Sequence, residues 1–238
     1  MTESNKPSLE VCLSPALLHL FDVKNSIVVI IDVLRATSTI CTALYNGASR
    51  VIPVSGVEEC INIGRELGAI TAGERDGKIA AGLAHGNSPF EYPRAFIENK
   101  TLVHTTTNGT KLLHMANDAL QIITGSFPNI SAVCDYLIKQ NQNVILGCAG
   151  WKDRVNMEDT LFAGAVVSRI RQHFNVNCDS AVAAETLYHT AKDNIHTFMK
   201  QASHYQPLAR YGLEKGIHYC LTPDGSNVRP MVRNGQFV

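Results

Sequence analysis

The sequence has no surplus of charge of either sign: 21 Lys and Arg stand against 21 Asp and Glu. A surface that holds nucleic acid needs a basic excess, so no nucleic-acid partner is expected and any anion must be bound by a local arrangement. No apolar run approaches the roughly 18 residues of a membrane span, and the opening MTESNKPSLE is polar and acidic rather than basic and then apolar. No membrane association is expected. The seven cysteines are odd in number and include no C-x-x-C pair, which reads as reduced core thiols of a cytoplasmic protein. The nine histidines contain no H-x-x-x-H, so zinc is not expected either. Neither the G-x-x-x-x-G-K-[ST] nor the G-x-G-x-x-G phosphate loop is present, and there is no internal repeat or low-complexity segment.

What the chain does have is SIVVIIDVLRATSTICTALYN at 26–46. Val28 to Ile31 form the β-branched run of a parallel strand covered on both faces. Asp32 then stands at its carboxyl end, where open α/β sheets bind ligands, with Arg35 a helical turn on. Two readings of Asp32 stand side by side here: a functional carboxylate on a crevice, or a helix cap neutralised by Arg35.

The same grammar of strand, polar turn and helix recurs along the chain. Strands are expected at 9–15 (closed by Pro15, at a sheet edge), 50–54, 69–74, 101–105, 120–125 and 144–148. Helices are expected at 37–46, from 57, after Gly109, after Pro128 and from Asn156, whose first turn holds Glu158 and Asp159. Residues 26–54 read as one β-α-β unit with a right-handed crossover. Residues 75–94 lack an apolar stripe and read as an ordered active-site loop anchored by Leu83, Phe90 and Tyr92. Past Asn175, 179–191 and 193–213 read as helices, and 216–223 with the closing VRPMVRNGQFV as two short strands expected to join a sheet edge antiparallel. The expected fold is α/β, a three-layer α/β/α arrangement with a mainly parallel (mixed) sheet. One domain spans 1–238, with sublobes at about 1–175 and a smaller C-terminal helical lobe at about 176–238.

If the sheet is parallel, the polar strand ends share one edge. Carboxylates from separate strand ends hold Mg²⁺, which takes a few carboxylate oxygens and leaves room for substrate. Arginines and free N–H groups beside them suit phosphate. TTTNG at 105–109 supplies hydroxyls, an amide and a glycine that lets backbone approach a ligand; a threonine-rich helix cap without a ligand is the plainer reading. Metal-assisted attack on a phosphate ester is the chemistry these parts describe. A haloacid-dehalogenase-like phosphatase would repeat an Asp two positions after Asp32, where this chain has Leu34. An isochorismatase-like cysteine hydrolase would pair Asp32 with a cysteine such as Cys148 and needs a lysine that TLVHTTTN does not offer.

IIDVLRATSTI, GERDG (73–77), GNSP (86–89), TTTNGT (105–110), GSFPN (125–129) and CAGWKDRVNMEDTLFAGA (148–165) together resemble the 2-phosphosulfolactate phosphatase family, in order, over nearly the whole chain. The approach to GNSP, Ala84 and His85, departs from the expected pattern. The resemblance implies a Mg²⁺-dependent phosphatase that converts 2-phosphosulfolactate to sulfolactate and phosphate, a step of coenzyme M biosynthesis. A related phosphorylated 2-hydroxy acid is the neighbouring substrate class, and a homodimer is compatible with this reading.

Strand-end placement, not the resemblance, assigns the residues. Asp32, Glu74 and Asp159, with Glu158, are the expected metal shell. Asp32 and Arg35 are the expected catalytic pair. Arg35, Thr106, Thr107, Asn108 and Gly109 are expected on the phosphate, and Arg75, Asn87 and Ser88 on the carboxylate or sulfonate. The competing class is a non-catalytic protein that keeps the anion cradle without hydrolysing its ligand.

Overall fold

The computed structural model describes residues 6–75, 78–106 and 108–238. The chain enters through β1 (Leu9–Cys12) and two 3-10 turns into β2 (Ser26–Ile31), which is buried along its whole length as its β-branched run demands. Helix α1 (Ala36–Tyr45) follows, then β3 (Arg50–Val54) and α2 (Val57–Leu67), which Gly68 ends in a left-handed cap. Next come β4 (Ile70–Arg75), the short β5 (Lys78–Ile79), α3 (Arg94–Ile97), β6 (Thr101–Thr105) and α4 (Asn108–Met115). Two further strand-helix pairs complete this part: β7 (Gln121–Gly125) with α5 (Ile130–Gln140), and β8 (Asn143–Cys148) with α6 (Met157–Ile170).

The strands divide into two hydrogen-bonded sets. One is all parallel in the order β1-β8-β2-β7; in the other β3, β6 and β4 run parallel to one another. The expected β-α-β unit at 26–54 is therefore corrected: β2 pairs with β7 and β8, whereas β3 pairs with β6. Burial explains the division. Alternate residues of β2 face opposite layers: Ile27, Val29 and Ile31 pack with α5 and α6, while Val28 and Ile30 meet Ile40 of α1, Leu112 of α4 and Val51 of β3. On the other side of β3 and β6, Cys60 of α2 meets Val54 and Val103. Helices thus cover both faces, a three-layer α/β/α fold.

The tail holds α7 (Asp179–Ala191), α8 (Ile195–Met199), α9 (Tyr205–Arg210) and α10 (Glu214–Cys220), then β9 (Val232–Arg233) and β10 (Gln236–Phe237). The strand expected at 216–223 is helix α10 instead. Ile217, Cys220 and Leu221 are buried at i, i+3 and i+4, a helical face that a short apolar run hides. The helix expected over 193–213 is broken into α8, α9 and intervening turns. The closing strands are antiparallel, and they do more than extend an edge. β9 and β10 form a hairpin, Phe237 pairs with Val51 of β3, and Met231 bridges Ile123 of β7, so this hairpin joins the two strand sets. The α7 to α10 segment shares its core with the parallel set: Ala184, Met199, Leu208 and Ile217 lie in one cluster with Ile31 and Phe162. Among the described residues, no helix is long and apolar enough to cross a membrane.

Candidate active site

The carboxyl ends of β2, β4 and β6 converge on a cavity of about 290 Å³. Its wall includes Asp32, Arg35, Glu74, Asn87, Thr106 and Asn108, together with Trp151, Lys152, His204 and Tyr211. Strand ends from both sets thus meet as the sequence anticipates, although through two ladders rather than one. A larger open groove of about 860 Å³ lies elsewhere, between Tyr45, Tyr136 and Arg229, and gathers none of these groups.

Asp32 sits where β2 stops and is nearly buried. Its Oδ1 accepts a 3.4 Å hydrogen bond from the Ala36 N–H at the start of α1, a weak cap. Burial pushes its carboxyl up to about 6; the charges of Glu74 and Glu158 push the same way, while His204 and the Ala36 N–H pull it down. Arg35 does not neutralise it. The guanidinium instead pairs with Glu74, which joins the loop after β2 to the end of β4. Across the cavity, α4 brings Gly109 so close that an added Cβ would stand 3.1 Å from Asp32 Oδ2 and 3.4 Å from Thr106 Oγ1. Only glycine lets that helix start come up against the carboxylate.

Glu158 and Asp159 lead α6, where the Asn156 side chain caps the helix by accepting from Asp159 N–H. Both are fully buried, and they do different work. Asp159 Oδ1 accepts from Val33 N–H at 2.9 Å; Oδ2 accepts from Gly150 N–H at 3.0 Å and Asn156 Nδ2 at 2.9 Å. Its oxygens are taken up in tying together the loops after β2 and β8, and it is not in the cavity wall. Burial, reinforced by Glu158 and Asp32, raises its carboxyl well above the usual range. Glu158 Oε1 lies 2.5 Å from His204 Nδ1 and 3.2 Å from Asn156 Nδ2, while its Oε2 has no partner among the described residues. Burial lowers the His204 pKa, but the hydrogen bond to Glu158 and the charges of Glu158, Asp32 and Glu74 outweigh it and leave the imidazole above its ordinary value. The ring also stacks on Trp151, centroids 5.2 Å apart.

Two expected residues are elsewhere. Arg75 is turned away: its guanidinium donates to Thr105 Oγ1, the Ser55 carbonyl and the Glu74 carbonyl. Ser88 is spent on a capping box with Glu91. Thr107 lies outside the described residues, as do Asp76 and Gly77 of the GERDG motif. Asn87 does reach the cavity and carries a buried Oδ1 without a partner among the described residues. Of the loop anchors, Tyr92 is buried and donates to the Gly86 carbonyl at 2.6 Å, whereas Phe90 is exposed. Sequence reasoning missed His204 altogether. A single histidine in a polar helical tail has no spacing to announce it, and only the packing of α9 against the strand ends brings it in.

Cys148 offers no support for a cysteine hydrolase. It is fully buried, and burial together with the charge of Asp159 raises its thiol well above the ordinary value, which keeps it protonated and a poor nucleophile.

Among the described residues, no three His, Cys, Asp or Glu side chains form a ready-made metal cage. A Mg²⁺ ion needs less, one or two carboxylates with substrate oxygens and water completing its shell. Asp32 in the cavity wall and Glu158, with its unpartnered Oε2, are hard oxygen donors of that kind.

Fold and site together define an α/β protein whose strand ends enclose a charged cavity suited to a small phosphorylated anion. The chain belongs to the 2-phosphosulpholactate phosphatase family, whose model matches residues 12–235; it is a family of phosphoric monoester hydrolases. The chain is similar to a probable 2-phosphosulfolactate phosphatase of Thermotoga petrophila, 43% identical over 210 residues, 88% of this chain and 90% of the relative. Likewise similar are proteins of the same description from Caldanaerobacter subterraneus, 38% identical over 90% of both chains, and Clostridium acetobutylicum, 37% identical over 91% of this chain and 93% of the relative.

Proposed function

We propose that this chain is a Mg²⁺-dependent phosphatase hydrolysing 2-phosphosulfolactate, or a related phosphorylated 2-hydroxy acid, to sulfolactate and phosphate, as a step of coenzyme M biosynthesis. The observation that carries the reading is the opposition of Asp32 to the start of α4 across Gly109. The phosphate sits against the N-terminal N–H groups of α4, with Thr106 and Asn108 beside it and Arg35 within reach when its pairing with Glu74 yields. Asp32, at the end of β2 in the cavity wall, accepts the proton of the attacking water as its oxygen bonds to phosphorus. The P–O bond to the 2-hydroxy carbon breaks, and the leaving alkoxide takes a proton from solvent or a neighbouring acid. Mg²⁺, held by Asp32 and Glu158, with Glu74 once released, would offset the charge on the phosphoryl oxygens. Asp159 serves by fixing the loops that carry Asp32 and Trp151.

Phosphate release from a panel of phosphorylated 2-hydroxy acids, with and without Mg²⁺, tests the reading. Turnover of 2-phosphosulfolactate that needs the ion supports it. Tight phosphate binding without turnover would leave a binding protein in its place.

A further inference from the structure

Two of the three basic side chains in the cavity wall already have carboxylates: Arg35 pairs with Glu74, and His204 with Glu158. Lys152 is the third, and no carboxylate of the described residues lies within salt-bridge distance of it. Its ammonium stands 4.9 Å from the centroid of the Trp151 ring, itself part of the wall. The turn that carries Lys152 is unusual. Lys152 and Asp153 have φ of 55° and 58°, the left-handed region that side-chain-bearing residues rarely enter, and here two do so in succession. Several bonds hold the turn: Trp151 and Arg154 exchange backbone hydrogen bonds at 2.9 and 3.1 Å, Lys111 Nζ reaches both Asp153 oxygens at 2.7 Å, and Ser14 Oγ donates to the Asp153 carbonyl at 2.7 Å. Two successive left-handed residues closed by the Trp151–Arg154 pair make a primed hairpin turn, and these bonds hold the backbone at Lys152 in one direction.

We propose that Lys152 is the specificity-determining cation of this site, holding the second strong anion of the substrate, its sulfonate, while the phosphate lies at the start of α4. The inference rests on the phosphatase reading above and goes beyond it by naming the group that recognises the non-reacting end. Arg75, expected there from the sequence, is turned away. The division of labour follows from ligand shape. A planar carboxylate matches the fork of an arginine, whereas a sulfonate spreads its charge over three tetrahedral oxygens and suits a compact ammonium. The Trp151 face beneath Lys152 attracts the same cation and limits the positions it samples.

The test compares 2-phosphosulfolactate with 2-phospholactate, which carries a methyl hydrogen in place of the sulfonate, on the full chain and on Lys152→Met and Lys152→Arg. The preference in kcat/KM for the sulfonate substrate should fall about tenfold in Lys152→Met, mainly through KM, and return in large part in Lys152→Arg. In the unsubstituted chain that preference should shrink as salt is raised, because an ion pair made by an exposed lysine is screened. Equal losses on both substrates, or an unchanged preference, would overturn the proposal while leaving the phosphatase reading intact. If the unsubstituted chain hydrolyses neither substrate, that reading fails and the proposal fails with it.

Discussion

Asp32 is held at a cost to the fold. Its carboxyl titrates near 6 in the folded chain, about two units above its ordinary value, because burial disfavours the charged form. The folded state therefore binds this proton more tightly than the unfolded state does. The stability it contributes is fully present below about pH 4, declines as pH rises and is gone above about 6. Asp32→Asn keeps the acceptor for Ala36 N–H and removes the buried charge. The expected result at pH 7.5 is a gain on the order of 1–3 kcal/mol in thermal unfolding, together with a loss of about 10²-fold or more in phosphate release; a lower Tm or undiminished turnover would refute this account. The neighbouring pair makes a second case. With Glu158→Gln its charge no longer raises the His204 pKa and only Asp32 and Glu74 still oppose burial, so the imidazole should titrate below its present value, as NMR of the ring protons would read. This residue-scale network was only half legible. Asp32, Glu74 and Thr106 follow from strand ends, but the Arg35–Glu74 pairing and the arrival of His204 depend on which loops face each other, and no local pattern encodes that.

Helix starts and helix crossings set the next scale. In α4, Gly109 is the point of closest approach to Asp32. Alanine there, in the first turn, places a methyl group in the tight space beside Asp32 Oδ2 and Thr106 Oγ1. Gly109→Ala should lower Tm only slightly, because the neighbouring side chains need shift by a few tenths of an ångström, while kcat/KM drops about tenfold or more, a split that calorimetry and steady-state kinetics would show. Gly164 in α6 bears on stability instead. A Cβ there would fall 2.0 Å from the Ala184 carbonyl oxygen of α7, so the two helices must part. Gly164→Ala should cost about 1–3 kcal/mol and lower Tm by several degrees. The elements themselves were well marked in the sequence: β-branched runs gave the strands, and Asn156 gave a helix start where it is found. Pairing was less legible, because β2 and β3 carry the same apolar signal and only burial on different layers sends them to different ladders. The α10 misreading has the same root: seven residues are too few for period 2 and period 3.6 to separate.

The whole molecule is held together at the seam between its two strand sets. Phe237, almost fully buried, pairs with Val51 while Met231 bridges Ile123, so the closing hairpin fixes β3 beside β7. Phe237→Ala should destabilise by about 3–5 kcal/mol and reduce activity besides, because Asp32 belongs to one set and Glu74 to the other; urea melts and turnover, measured on the same preparation, would check both. The seam also has a temporal meaning. On the ribosome β1 emerges some 130 residues ahead of β8, its ladder partner, and β3 and β7 wait for residues 231–237 before their facing edges are covered. Throughout that interval the nascent chain carries open strand edges of the sort that recruit stray strands from neighbouring polypeptides. Slower synthesis of the final helices lengthens that interval of exposure, and a holdase that covers such edges would shorten it.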